Sequence, residues 1–197
     1  MPLHITSTTR SVRLRPVTNR ELRSIILREL NRQGPDADLN HIDVSKITDM
    51  SYLFTNLYIE NIKVDEWDVS NVTNMTSMFA YCGTFNADLS SWDTGNAVTM
   101  ASMFYKCKKF NCDLSKWNVS NVTNMDSMFA HCENFNSNLS KWYVSNVYQM
   151  YCLFENCFKF CSDLSGWDVS SVSTRFNMFN NCRDMKYGKQ PKFSRRQ

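Results

Sequence analysis

A period of 25 residues runs through this chain and constrains its fold more than any other feature. Tryptophan, phenylalanine and cysteine each recur at that spacing. Repeats of this length are typical of proteins in which each unit buries its apolar face only against its neighbours. We therefore expect two continuous interior ladders of aromatic side chains. One contains Trp67, Trp92, Trp117, Trp142 and Trp167, and the other contains Phe79, Phe104, Phe129, Phe154 and Phe179.

Two apolar patterns alternate within each unit. Residues 114–122 have the spacing of a leucine-rich-repeat strand, with Trp117 in a leucine position. Residues 122–132 carry apolar side chains at intervals of three and four, as on one face of a short helix. The two patterns predict an α/β fold, namely a right-handed leucine-rich-repeat-like solenoid of 25-residue strand–helix coils.

The two ends of the chain differ from the repeats. Residues 18–21 read Thr-Asn-Arg-Glu, a capping box, and Gly34 closes the apolar pattern that follows. They predict an N-terminal cap helix within residues 16–36, after a flexible lead of residues 1–15. The solenoid is expected as one domain over residues 37–182, with about six repeats. Residues 183–197 are interpreted as a basic C-terminal cap or tail.

The net charge of +3 is unevenly distributed. Residues 1–34 and residues 183–197 each carry +5, whereas residues 35–182 carry −7. Basic ends attract nucleic acid or anionic surfaces, and this stays open as an alternative function. We favour solubilising ends and do not expect nucleic acid as the partner. No run approaches the roughly 20 apolar residues of a membrane span, and the first residues lack a signal-peptide pattern, so we expect a cytoplasmic location.

The chain resembles a known family at residues 67–75, Trp-Asp-Val-Ser-Asn-Val-Thr-Asn-Met, which are followed by Met78, Phe79 and Cys82. This block is similar to the BspA-like leucine-rich-repeat proteins, over roughly residues 37–182. The resemblance implies a non-enzymatic protein tied to adhesion and host-protein binding, and a surface or secreted location as the alternative to the cytoplasm.

Nothing in the sequence predicts catalysis. A nucleophilic site needs a serine or cysteine beside a positioned histidine, and the chain has only His4, His41 and His131. We therefore expect no enzyme activity, no catalytic residue, no cofactor and no metal site. The cysteine column is interpreted as small buried side chains, because Leu57 fills its place in the first unit.

Candidate binding residues are those whose type varies while their neighbours stay fixed. One such column lies just after each tryptophan and the other just before it, and both are expected to point outward from the strand face. Their members are Asp68, Asp93, Asn118, Tyr143 and Asp168, and Glu66, Lys116 and Lys141. We predict a protein partner of unknown identity, with Tyr143 as the anchor.

Overall fold

The computed structural model describes residues 14–193 of the chain. Within that range the single α-helix, α1, spans Asn19–Gln33. A short 3₁₀-helix, Tyr187–Lys189, follows the last repeat. Isolated parallel bridges join equivalent residues of neighbouring units, in the series Asp49, Asn74, Thr99, Asn124, Gln149 and Thr174, and no strand forms in the described part of the chain. The repeats are therefore built from turns.

The predicted α/β leucine-rich-repeat solenoid is wrong, because the units contain neither the strand nor the helix. The 25-residue register is nevertheless present, since bridges join equivalent residues of neighbouring units, as they do Asn74, Thr99 and Asn124. Parts of the predicted end segments, residues 1–13 and 194–197, lie outside the described residues.

In the predicted helix, backbone N–H groups bond sideways instead of along the chain. Met125 and Ser127 donate to the carbonyls of Gln149 and Tyr151 in the next unit, at 2.9 and 2.7 Å. An α-helix needs each N–H to bond the carbonyl four residues earlier, so it cannot form here. Ser127 and His131 also have left-handed φ values of 55° and 63°. Consecutive turns thus produce the apolar spacing that is otherwise typical of a helix.

In the predicted strand, side chains bond the backbone groups that a ladder would use. Asp113 Oδ1 accepts from Ser115 N at 2.9 Å, and Asn118 Oδ1 accepts from Ser120 N at 3.1 Å. Short polar side chains that bond the backbone two residues on favour turns over strands. The same arrangement recurs from unit to unit, so the chain bends where a strand would run straight.

The core is a set of aligned aromatic side chains. Phe104 lies between Phe79 and Phe129, with ring centroids 5.7 Å away on each side. Each tryptophan indole N–H donates to a carbonyl about one unit earlier at 2.9–3.0 Å. Offset aromatic pairs at these distances stabilise a fold beyond the area they bury. Both predicted ladders lie in this core, although Phe179 in the last unit is only partly buried.

Helix α1 packs on the first unit. The Thr18 hydroxyl accepts from Glu21 N at 3.2 Å, and Gly34, at φ 86°, donates to the Leu30 carbonyl at 2.8 Å. Glu29 is buried in spite of its charge, because Arg32 Nη2 lies 2.6 Å from its carboxylate and Gln33 donates to it as well. The bond from Arg32 is the main reason why the pKa of Glu29 is lowered.

The same helix covers the exposed carbonyls of the first unit. Asn19 Nδ2 donates to the carbonyls of Asp49 and Ser51 at 3.1 and 2.9 Å. Arg23 Nη1 donates to those of Tyr52 and Leu53. In later units the carbonyls equivalent to Asp49, Ser51 and Leu53 accept from the earlier unit, so α1 takes the place of that unit at this end of the stack.

Replacing Arg23 should therefore destabilise the end of the stack that α1 covers. We expect Arg23→Ala to lower the free energy of unfolding by about 1.5–3 kcal/mol, the usual contribution of hydrogen bonds from a charged donor. Urea denaturation followed by tryptophan fluorescence measures it. Arg20→Ala on the exposed side of α1 is the control, with a change expected within about 0.5 kcal/mol. Equal losses of stability for the two variants would contradict the closing role of Arg23.

Candidate functional site

The predicted column after each tryptophan is exposed, as expected for a binding surface. Four of its five side chains nevertheless accept hydrogen bonds from the backbone of their own turns. Asp68 Oδ1 accepts from Ser70 N at 3.1 Å and from Ser70 Oγ at 2.6 Å. Asp93, Asn118 and Asp168 accept in the same way from the backbone N–H two residues later. The Asp168 carboxylate has a lowered pKa, mainly because of its hydrogen bonds to Ser170.

Tyr143 is the exception in this column. Its side chain is 63 % exposed, and no hydrogen bond joins it to any other residue within the described range. Tyrosine offers apolar area and a hydroxyl at low entropic cost, which makes it a good interface residue. In this column, Tyr143 is therefore the member whose side chain is available to a partner.

The predicted column before each tryptophan is exposed as well. Glu66 borders a polar groove of about 570 Å³, together with Asp38, Asp65 and Asp88. Lys116 lies in a neighbouring groove of about 350 Å³ that also contains Asp88 and Asp113. Lys141 is exposed in the unit that follows. The three residues stand in separate places along the stack and share no hydrogen bond or ion pair within residues 14–193.

The structure also contains an aromatic cluster that the sequence analysis did not predict. We call Tyr81, Tyr105, Lys106 and His131 the tyrosine–lysine cluster. Tyr105 makes edge-on contacts with the rings of Tyr81 and His131, with centroids 5.2 and 5.6 Å apart. The Lys106 Nζ lies 4.9 Å from the Tyr81 ring centroid and 5.1 Å from that of Tyr105. These are distances at which a cation is attracted to a tyrosine face.

The repeat itself positions this cluster. Tyr81, Lys106 and His131 are equivalent residues of successive units, each at a left-handed φ between 62° and 65°. Their N–H groups donate to the next unit at 2.7–2.9 Å. The 25-residue spacing of the three side chains was visible in the sequence, but Tyr105 comes from a neighbouring position and could not be assigned to the same corner.

The cysteine column is buried and its thiols are free. Cys107 Sγ donates to the Phe79 carbonyl at 3.0 Å, and Cys132 Sγ donates to that of Phe104 at 3.0 Å. Burial raises the pKa of both thiols well above the usual range, and raises that of Cys82 to about 11. Reactive cysteines need a stabilised thiolate, so this environment is the opposite of a nucleophilic site.

Within residues 14–193, no three His, Cys, Asp or Glu side chains are grouped to hold a metal ion. No helix of that range is long and apolar enough to cross a membrane. Of the basic ends, Arg183, Lys186 and Lys192 are exposed, whereas residues 1–13 and 194–197 lie outside the described residues.

Comparison with known proteins finds a family match over the repeated part of the chain. A family model described as "Mycoplasma protein of unknown function, DUF285" matches residues 27–129 and 97–191. No curated protein and no solved structure matches the chain. The overlapping matches follow the stacked units from α1 to the C-terminal segment. Because they cover far more than half of the chain, this protein belongs to the DUF285 family.

Proposed function

We propose that this protein is a non-enzymatic repeat protein that binds another protein through the tyrosine–lysine cluster. The observation that carries the proposal is the contact of Tyr81, Tyr105, Lys106 and His131 on one corner of the stack. Aromatic residues dominate the binding energy of protein interfaces, most of all when their neighbours hold them in place. A partner surface with an apolar side chain beside a carboxylate would fit this cluster.

Kinship with BspA-like repeat proteins is a further part of the proposal. The DUF285 match and the block of residues 67–75 support it. It would make adhesion or host-protein binding the biological role. The expected cytoplasmic location stays a prediction, and a surface location stays its alternative.

The repeat offers substitutions that test the cluster without disturbing the backbone. Asn56, Asn156 and Asn181 occupy the same position as Tyr81 and Lys106, also at left-handed φ. We therefore expect the double variant Tyr81→Asn, Lys106→Asn to fold normally, because asparagine tolerates this conformation. It should lose at least tenfold in affinity for the partner, as expected when two central interface residues are removed.

The measurement is quantitative affinity capture from the native host, followed by titration of the captured partner. Tyr143→Asn is the matched control, since Asn118 stands at its position one unit earlier. Retention by the control and loss by the double variant would support the cluster. Loss by the control alone would move the site to the predicted tryptophan-flanking column. A protein that captures no specific partner in either form would contradict a binding function.

A further inference from the structure

The last unit ends in a row of backbone donors. In the unit before it, the N–H groups of Cys152, Phe154 and Asn156 each donate to the next unit at 2.9 Å. Their equivalents 25 residues later are Asn177, Phe179 and Asn181. Within residues 14–193, none of these three N–H groups donates a hydrogen bond. The stack therefore presents at this end a surface with the donor pattern that every earlier unit uses to hold its neighbour.

An aromatic groove runs along the same edge. Its volume is about 800 Å³, and it is lined by Tyr151, Phe176, Phe179 and Phe193, among others. The Phe176 ring is 71 % exposed and lies 6.2 Å from the Tyr151 ring. Phe179 stacks on Phe154 at 5.7 Å, and no further ring of the ladder follows it in the part of the chain that the structure describes. Apolar area thus lies beside the donors.

The described part of the C-terminal segment, up to residue 193, closes the neighbouring part of this unit and makes no hydrogen bond with the donor row. The Lys189 carbonyl accepts from Leu164 N at 2.7 Å, and Lys189 Nζ donates to the Cys161 carbonyl at 2.9 Å. Phe193 reaches the rim of the groove, where the Arg175 guanidinium lies 4.1 Å from its ring centroid. The segment therefore satisfies one side of the last unit and forms one wall of the groove.

Hydrogen-bond chemistry limits what can occupy this edge. A second copy that approached with the same end would place donors against donors. A second copy that approached with its first unit would offer the equivalent carbonyls of Ser51, Leu53 and Thr55, and those of Ser51 and Leu53 are already bonded by Asn19 and Arg23 of α1. What fits is a segment of a different polypeptide that offers backbone carbonyls at alternate residues.

The charge of this end of the chain indicates which kind of segment would bind. Residues 183–193 carry four basic side chains against the single acid Asp184, and Arg183, Lys186 and Lys192 are exposed. We propose that the C-terminal edge of the stack binds an acidic segment of a partner protein, with alternate carbonyls on Asn177, Phe179 and Asn181 and one apolar side chain in the aromatic groove. This site is separate from the tyrosine–lysine cluster, so either can fail without the other.

The probe is a synthetic peptide with the sequence of residues 124–131, whose carbonyls accept this donor pattern inside the stack. One version is flanked by two glutamates at each end and the other by two lysines. We expect the acidic peptide to bind the full chain at least tenfold more tightly than the basic one. In amide exchange measured by NMR, it should slow the N–H groups of Asn177, Phe179 and Asn181 at least tenfold.

Two variants complete the test. Phe176→Thr removes the exposed ring and installs the residue found at Thr76, so it should fold and should lose tenfold or more in peptide affinity. The double variant Tyr81→Asn, Lys106→Asn should bind the peptide as the unaltered protein does. Binding without slower exchange at the three amides would overturn the proposal. Equal binding of both peptides, no binding of either, or slower exchange through self-association alone would overturn it as well.

Discussion

Trp117→Ala should lower the free energy of unfolding by about 3–5 kcal/mol, the usual loss when a large buried aromatic residue is truncated. Trp117 is 3 % exposed in the middle of the stack. Its ring lies 6.4 Å from that of Trp92 and 6.2 Å from that of Phe104. Its indole N–H also donates to the Leu89 carbonyl at 2.9 Å. The alanine variant removes both the packing and this hydrogen bond, and neighbouring units cannot close the cavity without leaving register.

Urea denaturation measures this loss, and two further variants separate its causes. Trp117→Phe keeps an aromatic ring and removes the N–H donor, so it should lose less than the alanine variant. Tyr143→Ala removes an exposed aromatic ring and should change the free energy of unfolding by no more than about 0.5 kcal/mol. A nearly neutral Trp117→Ala would mean that the tryptophan ladder does not hold the units together.

The sequence predicts the stacking register well, because burial leaves a strong signal. A tryptophan or phenylalanine that recurs every 25 residues must be buried repeatedly, and the rings of Trp92 and Trp117 do lie parallel, with their centroids 6.4 Å apart. The start of α1 was equally visible in the Thr18–Glu21 capping box. In both cases the identity of the side chain determines the local structure.

The secondary structure within each unit could not be predicted in the same way. Inward apolar residues at intervals of three and four arise from a helix and also from the turns that the structure contains. The turns differ from a helix at Ser127 and His131, which adopt the left-handed conformation. Glycine usually marks such a position in a sequence, and neither of these residues is glycine. Their conformation depends on hydrogen bonds to the next unit, and these are not encoded locally.

The candidate site was only partly visible for a related reason. Variation within a column predicts exposure, and Asp68 and Tyr143 are indeed exposed. It does not show whether an exposed side chain already serves a turn, as the Asp68 carboxylate does for Ser70. The meeting of Tyr105 with Lys106 and Tyr81 depends on the direction of the side chains, which follows only from the folded backbone.

The buried thiols should make the fold unusually sensitive to alkali. Burial raises the pKa of Cys107, Cys132 and Cys157 well above the usual range and that of Cys182 to about 12. In the unfolded chain these thiols lose their protons near pH 8.5, whereas in the folded protein they stay neutral. The folded state therefore holds more protons above that pH, and its stability is complete below it and falls as the pH rises.

The expected slope is large because several thiols act together. Each thiol contributes a loss of about 1.4 kcal/mol per pH unit between its unfolded and folded pKa values, so three of them lose about 4 kcal/mol per unit. Proteins of this size are stable by roughly 5–15 kcal/mol. We therefore expect cooperative unfolding between about pH 10 and 12. Urea denaturation at a series of pH values in the presence of a reducing agent measures it.

A double variant tests the cause directly. Cys107→Ala, Cys132→Ala should be less stable at pH 7, because it removes two thiols that bond the carbonyls of Phe79 and Phe104. Above pH 9, however, its stability should fall less steeply than that of the unaltered chain, by roughly 3 kcal/mol per pH unit. Trp117→Phe keeps every thiol and serves as the destabilised control, with the full slope. If the double variant and this control lost stability at the same rate, ionisation of the cysteine column would not be what alkali acts on.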